Sequence, residues 1–387
     1  MTDVGIFRLR FPVSTETFIR EQMRALTRYR PIVFAREWNG RSAASATVPS
    51  AQAIVIGGRG RNIASRAARI GYAISATPRI FGARTTLPRV SLIHAHFAPD
   101  ATYAVPLAKW LRVPLIATFH GWDVTIADRA LLRKPSVTVG HYLLTRAALR
   151  SHGSAFVAVS DYIRDRLLAL GYPPDRVVRH YIGVDIDKFA PADGERSERY
   201  VLNTARHRAQ KGIDTLLRAF ARVAPRHPDV TLVQVGSGER TAELRRLATS
   251  LGIAGRVRFL GDQSHDAVRA LTQRATVFAM TGQTTDTGQQ EALGLVLNEA
   301  SACAVPVVAT RHGGMPEAVR DGETGILADE RDDVAIGSAL DTLLGNPELA
   351  ARMGRQGRTF VTEVFNLRTQ TAALEQLYDR VRAEGRP

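Results

Sequence analysis

Along the chain, short apolar runs rich in β-branched residues alternate with longer stretches whose apolar residues recur every three or four positions. The runs at residues 4–9, 31–35, 92–97, 115–119 and 156–160 show little polar alternation. That pattern marks strands buried on both faces of a parallel sheet. Residues 17–29 and 103–111, lying between such runs, have the spacing of amphipathic helices. A second series begins at 200–204 and continues at 231–235, 257–260, 276–280 and 306–309, again with helical spacing between. Strand, helix and strand in alternation predict α/β domains of the doubly wound, Rossmann-like kind, here two of them meeting across a hinge. Residues 42–87 carry less order: a strand at 53–56, a Gly-Gly-Arg-Gly turn and a long helix bearing arginines. The polar stretch 191–199, punctuated by Pro and Gly, is the expected linker between a first domain at 1–190 and a second at 200–366. Residues 367–387 are expected to form a docking helix, with Leu374, Leu377, Tyr378 and Val381 on one side and the first domain as its candidate partner.

The length of 387 residues fits two domains, and 45% hydrophobic with 23% charged residues is the composition of a globular protein. A single cysteine, Cys303, excludes an internal disulfide framework and a thiolate metal cluster, and fits a reducing compartment. The N-terminus opens into a strand-like run without a basic-then-apolar leader, and no stretch approaches the roughly 18 apolar residues of a membrane span. The expected location is the cytoplasm.

Charge divides unevenly. Residues 1–190 hold 27 Lys and Arg against 12 Asp and Glu, whereas residues 191–387 hold 25 of each. Such a basic half attracts nucleic acid, anionic lipid headgroups or diphosphates, and charge alone does not choose among them. A coding bias toward Arg is the plainer explanation, since only four of the 52 basic residues are Lys. The basic stretches have few interleaved aromatic residues, which speaks against a nucleic-acid-binding protein.

Ligands of doubly wound sheets sit beyond the carboxyl ends of the strands, so the chemistry is sought in the loops there. The segment Gln290-Glu291-Ala292-Leu293-Gly294-Leu295-Val296-Leu297-Asn298-Glu299 places a tight turn at Gly294 before an apolar helix. A helix opening there aims free N–H groups and a positive dipole end at a phosphate. Glu291 and Glu299, eight positions apart, are expected to share roughly one face. Asn203-Thr204-Ala205-Arg206 with Lys211-Gly212, after the first strand of the second series, offers an Arg and a Lys five apart to clamp a diphosphate. Gly236-Ser237-Gly238 and Gly261-Asp262 end the next two strands and are weak signals taken alone. Gly313-Gly314 suits either close backbone approach to a ligand or a plain strand-to-helix turn.

In the first half, Thr118-Phe119-His120-Gly121-Trp122-Asp123 follows a strand, and His94 and His96 stand on one face of another. The two histidines read as packing or acceptor-side hydrogen bonding, not as a metal site, because no third ligand stands nearby. Phe11-Pro12-Val13-Ser14-Thr15-Glu16-Thr17-Phe18 ends the first strand. There Ser14 or Thr15 could cap the following helix with Glu16 in its first turn, and capping alone would explain these residues.

These segments closely resemble the family 4 retaining glycosyltransferases, strongly over residues 200–370 and patchily before. The Ser-Glu-Thr-Phe-like loop, Asp286 and Glu323-Thr324-Gly325 resemble the exopolysaccharide, colanic-acid type of branch. The resemblance implies the GT-B architecture, two Rossmann-like domains facing across a cleft. It implies transfer of a sugar from a nucleotide-diphosphate sugar to a hydroxyl of a glycan or a polyprenyl-diphosphate-linked acceptor. His120, Glu291, Arg206 and Lys211 would be catalytic. Gly294, Leu295, Val296, Glu299, Gly236 and Gly261 would hold the donor, and Glu16, His96 and Asp123 would lie on the acceptor side. No metal and no cofactor are expected, since cationic side chains and a helix end replace the cation in this fold. An Ala205 where the family usually has Gly, and Ile182 where it usually has Asn, depart from the pattern. Arg129, Arg133, Lys134, Arg146 and Arg150, mixed with Leu131, Leu132, Leu143 and Leu144, are candidates for an anionic membrane face, which would make the protein peripheral on the inner side of the cell membrane. A phosphorylase or 2-epimerase on the same architecture is the alternative activity.

Overall fold

The structure is a computed structural model that describes the chain apart from residues 14, 40–52, 59–61, 134–135, 193, 195–197 and 386–387. Ser14, Lys134 and parts of the 42–87 and 191–199 segments therefore lie outside the described residues.

The chain divides into two units, Met1–Gly183 with Leu367–Pro387, and Val184–Asn366. Unit 1 runs β1 (Thr2–Phe11), α1 (Thr17–Ala25), β2 (Tyr29–Trp38), β3 (Ala53–Val55), α2 (Ile63–Ser75), β4 (Ile93–His96), α3 (Ala98–Leu111), β5 (Leu115–Phe119), α4 (Trp122–Thr125), α5 (Asp128–Leu132), α6 (Val137–His152), β6 (Ala155–Ala158), α7 (Asp161–Ala169) and β7 (Val177–Arg179). Its strands form one parallel sheet in the order β3-β2-β1-β4-β5-β6-β7. Strands β4, β5 and β6 are buried at every position, which is why they read as uninterrupted apolar runs.

Unit 2 runs β8 (Arg199–Thr204), α8 (Ile213–Val223), β9 (Val230–Val235), α9 (Thr241–Ser250), β10 (Val257–Gly261), α10 (His265–Arg274), β11 (Val277–Met280), α11 (Leu295–Ala302), β12 (Val307–Thr310), β13 (Gly325–Ala328), α12 (Asp333–Gly345) and α13 (Pro347–Val364). The order of its parallel sheet is β10-β9-β8-β11-β12-β13. Helix α8 shows how the sequence sets the layers: Ile213, Leu216, Leu217, Phe220 and Val223 fall at helical spacing and are buried with Val201, Leu232 and Leu340. The sequence reading missed β7 and β13, short strands at sheet edges.

The expected helix 17–29 stops at Ala25, because Tyr29 already opens β2. The boundary between units falls at Gly183–Val184, not in the polar 191–199 stretch. Val184 pairs with Asn366, its N–H donates to the Phe365 carbonyl at 2.7 Å, and Phe189 is buried, so this segment is already part of unit 2.

The last helix, α14 (Leu367–Glu384), belongs to unit 1. Leu374, Leu377, Tyr378 and Val381 enter the core cluster of Val4, Ile6, Met23 and Tyr29. A polar lock fixes the helix in register. Glu375, 2% exposed, accepts from Thr27 N at 2.8 Å, Arg28 N at 2.7 Å and Thr27 Oγ1 at 3.0 Å. Burial opposes its charge, but the N–H donors of Arg28 and Thr27 outweigh it and hold the carboxyl below its ordinary value of 4.5. Its stabilisation is therefore complete above about 4.5 and is lost as the pH falls through the lower folded value. Glu375→Ala strands the backbone N–H groups of Thr27, Arg28 and Tyr29 and is expected to cost unit 1 about 2–4 kcal/mol. Thermal unfolding followed by circular dichroism checks this, and Glu375→Gln should flatten the loss of stability seen in the wild type below about pH 4.5.

Candidate active site

Both sheets wind outward from their first strand. The crevices lie where the order reverses, between β1 and β4 in unit 1 and between β8 and β11 in unit 2.

In unit 2 the loop after β8 ends in a short 3₁₀ turn, Ala209–Lys211, and the loop after β11 runs to α11. Gly212 joins them: its φ is +58°, and a Cβ there would lie 1.8 Å from the Thr281 carbonyl oxygen, so only glycine fits. The two loops bring Lys211 Nζ to 2.8 Å from Glu291 Oε1, with side chains 20% and 18% exposed. A cation and a carboxylate expected to serve different parts of one ligand thus meet directly. The Glu291 backbone is held as well, its N–H donating to His312 Nε2 at 3.1 Å and its carbonyl accepting from Gly314 N at 3.0 Å.

Glu291 is not helical. Helix α11 begins at Leu295, after Gly294 with φ +81°, so the expected common face for Glu291 and Glu299 does not exist. Glu291 sits in the loop and Glu299 alone is on the helix. The first turn, from Leu295 and Val296, presents its N–H groups with no acidic side chain among them. Glu299 is 8% exposed, and its Oε1 lies 3.9 Å from Nε2 of His265, whose Nδ1 accepts from Lys188 Nζ at 2.8 Å. The Cys303 thiol beneath is pushed up to about 12 by burial and by the Glu299 charge. Arg206 and Arg208 are exposed in the loop after β8. Gly236 packs loop on loop: a Cβ there would lie 2.2 Å from the Ala205 carbonyl oxygen, and its N–H donates to Gly261 at 2.8 Å. Gly261, at φ +68°, faces open space.

In unit 1, Arg8 of β1 is 5% exposed and lies 2.7 Å from Glu16 Oε2 and 3.2 Å from Asp100 Oδ2, over the Phe97 ring at 4.6 Å. Asp100 also accepts from Leu9 N at 2.9 Å, yet burial raises its carboxyl above the ordinary value against Arg8 and that N–H. Beside this cluster three imidazoles line up, His94 to His96 at 4.3 Å and His96 to His120 at 5.4 Å between ring centres. His94 bonds to Tyr378 OH at 2.7 Å and Thr118 Oγ1 at 2.6 Å, and burial and the neighbouring His180 lower it to about 3. His96 Nδ1 is 3.1 Å from His120 Nε2. Burial holds both well below the ordinary histidine value, with His94, His120 and Arg8 adding to the effect on His96, and Arg8 and His94 on His120. The pair is therefore neutral at neutral pH, one ring donating and the other accepting.

Asp123 is 4% exposed, and its oxygens accept from Gly121 N at 2.8 Å, His120 N at 3.2 Å and Ala98 N at 2.9 Å. Burial raises its carboxyl to about 6 against those donors. Its oxygens are bonded to the backbone and so shape the loop carrying His120. Among the described residues, no group of three His, Cys, Asp or Glu is arranged to hold a metal ion.

The sequence names Lys211, Glu291 and His120 singly, whereas the contact of Lys211 with Glu291 and the neighbouring Arg8, Asp100, Lys188, His265, His312 and Glu330 emerge only in the structure. Arg8 had a visible signal, an arginine inside an apolar strand run. His312 and Glu330 had none, because their meaning lies in partners far along the chain.

Comparison with known proteins gives this geometry a family. Residues 15–188 match the model described as Glycosyltransferase Family 4, and residues 185–360 match that of Glycosyl transferases group 1. The chain is 39% identical over 249 residues to a GDP-mannose-dependent alpha-(1-6)-phosphatidylinositol monomannoside mannosyltransferase of Mycolicibacterium smegmatis, covering 60% of this chain and 65% of that protein. It is 30% identical over 310 residues to a D-inositol 3-phosphate glycosyltransferase of Streptomyces scabiei, covering 74% of this chain and 67% of that one. The solved structure of Anabaena Alr3699/HepE, in complex with UDP and glucose, superposes with a TM-score of 0.75 at 19% identity, over 98% of this chain and 99% of that one. With both halves matched and the α/β fold of the GT-B type in each unit, the chain belongs to the family 4 glycosyltransferases.

Proposed function

We propose that the protein is a retaining glycosyltransferase that moves a hexose from a nucleotide-diphosphate sugar to a hydroxyl of a glycan or lipid-linked acceptor in cell-surface polysaccharide synthesis. The observation that carries this reading is the Lys211–Glu291 contact at 2.8 Å beside the open N-terminus of α11. A sugar nucleotide needs what these groups supply: a cation and helix amides for the diphosphate, a carboxylate for sugar hydroxyls and a second carboxylate, Glu299, for the ribose. Relatives whose names specify GDP-mannose, and a neighbour solved with UDP and glucose, support the donor class and leave its base open.

In the proposed route the donor's diphosphate displaces Glu291 from Lys211, and Lys211 with Arg206 and the α11 amides stabilises the charge that grows as the bond to the sugar breaks. The departing phosphate takes the proton of the incoming hydroxyl on the same face, which leaves the anomeric configuration unchanged. His120 contributes a neutral imidazole to the transferred sugar, and no metal or cofactor is called on. Gly236 and Gly261 border the base.

The basic first half is assigned to an anionic acceptor surface, but with fewer cations than the sequence suggested. Arg146 is held by both oxygens of Asp128, at 2.8 and 2.6 Å, and Arg150 donates to the Leu170 carbonyl at 2.7 Å. Arg129 and Arg133 remain exposed, with Leu132 63% and Leu144 85% exposed. Ile63, Ile70 and Ile74 of α2 add apolar surface. Among the described residues no helix is long and apolar enough to cross a membrane. The attachment proposed through this face is peripheral.

Glu291→Ala and Lys211→Ala, each folded, are expected to lower kcat/KM roughly 30- to 300-fold, a loss of about 2–3.5 kcal/mol of transition-state stabilisation. Mass spectrometry of sugar-nucleotide turnover over a donor panel including GDP-mannose and UDP-glucose measures this, and near wild-type rates would refute the assignment. Because His96 and His120 are held below the ordinary histidine value, they stay neutral as the pH falls from 8 to 6. The ring resonances of His96 and His120, followed by NMR, should therefore show no protonation step in that window. Binding to vesicles containing phosphatidylglycerol should weaken as salt rises and fall further in an Arg129→Ala/Arg133→Ala variant; no binding at low salt removes the membrane assignment.

A further inference from the structure

The loop 281–294 between β11 and α11 spans 14 residues without helix or strand, and it carries Glu291. A segment of that length holds one conformation only when its polar groups are tied down. Here the ties converge on a buried histidine and a half-buried glutamate. His312, 0% exposed, follows β12, and Glu330 follows β13. The Glu291 N–H can only donate, so His312 Nε2 at 3.1 Å must be the unprotonated ring nitrogen. The ring proton then sits on Nδ1 and is donated to Glu330 Oε1 at 2.6 Å. Glu330 also accepts from Thr284 N at 2.7 Å and Thr284 Oγ1 at 2.9 Å, at the other end of the same loop. Gln290 Nε2 donates to Thr284 Oγ1 at 2.7 Å, which joins the two ends.

The fit around the ring leaves little freedom. A Cβ on Gly282 would lie 2.7 Å from His312 Cδ2, and one on Gly313 would lie 2.1 Å from the Glu291 carbonyl oxygen. The Glu330 carboxyl, which burial pushes up, is brought below its ordinary value by the bonds from Thr284 and His312, so it remains the charged acceptor of the chain.

We propose that His312 and Glu330 are positioning residues of the donor site: the carboxylate fixes the imidazole tautomer, and the imidazole fixes the backbone amide of Glu291 and hence where its side chain stands. The arrangement parallels the way an outer carboxylate orients a histidine that holds a reactive group, with a peptide N–H in place of that group. Neither residue touches the donor. The inference rests on the reading of Glu291 as the carboxylate that meets the donor sugar.

The test separates the two. Isothermal titration of GDP-mannose and UDP-glucose, and of GDP and UDP lacking the sugar, is compared for wild type, Glu291→Ala, His312→Asn, His312→Gln and Glu330→Gln. Asn is too short to reach the Glu291 amide, whereas a Gln oxygen stands near the place of Nε2. His312→Asn is expected to weaken the sugar nucleotide roughly tenfold or more while the free diphosphate changes less than about threefold, as for Glu291→Ala, with His312→Gln recovering most of the loss. Glu330→Gln should shift affinity in the same direction. In turnover the loss should appear mainly in KM of the donor for His312→Gln and in both kcat and KM for His312→Asn. If Glu291→Ala weakens the sugar nucleotide but His312→Asn does not, or weakens both ligands alike, or Gln fails to rescue, the positioning role is wrong and the donor reading stands. If Glu291→Ala itself leaves affinity unchanged, the donor reading fails. Should the His312 variants not fold, long-range ¹H–¹⁵N correlation on the wild type decides: the Nδ1-protonated neutral ring upholds the pair, and the opposite tautomer or an imidazolium overturns it.

Discussion

A parallel sheet wound in both directions from its first strand must open a gap where the loops after neighbouring strands part to opposite faces. The chain does this twice, after β1 and β4 and again after β8 and β11. Arg8, Asp100, Lys211 and Glu291 collect at these two places because chain segments there turn away from each other and leave backbone and side chains free for a ligand, while His120 follows the neighbouring β5. Elsewhere along the strand ends the loops pack on one another, as Gly236 does on Ala205.

Each gap imposes the same difficulty. Charged and polar groups must stand at the rim of an apolar sheet, and an unpaired buried charge is strongly destabilising. Unit 1 answers with Arg8 between Glu16 and Asp100, and with histidines kept neutral by burial. Unit 2 answers with Lys211 against Glu291, a pair a ligand can open because both ends remain partly exposed. Behind it, His312 and Glu330 satisfy the loop from within. Lys211 and Glu291 can change partners when a ligand arrives, while the fully buried His312 has both ring nitrogens bonded and stays fixed.

The same physics explains the end of the chain. Helix α14 is joined to unit 1 by an apolar face, but apolar contact alone does not set register along a helix. The Glu375 carboxylate does, since it must meet the backbone N–H groups of Thr27 and Arg28 at the turn before β2. Tyr378, one turn on, reaches His94, so the last helix also helps hold the histidine row.

The α/β class and the paired series of strands are legible in the chain alone, because buried parallel strands need unbroken apolar runs and glycine is needed where backbones cross closely. β5 was legible to the residue, while β7 and β13, three and four residues at sheet edges, carried too little pattern to be seen. The sequence also named Glu291, Lys211 and His120, through their place after strands and their resemblance to a family. What those residues touch follows from the folded chain. Glu291, just before the helix, and Glu299 on it were expected to share roughly one face by turn counting, yet the left-handed Gly294 interrupts that count. Arg146 and Arg150 looked like free surface cations, yet each is held by a partner 18 or 20 residues away. Glu330 lies 46 residues from Thr284 and His312 lies 21 from Glu291, so no local pattern could join them. Periodicity records which face of an element is buried, whereas a hydrogen bond between distant loops depends on where two strands happen to end in space.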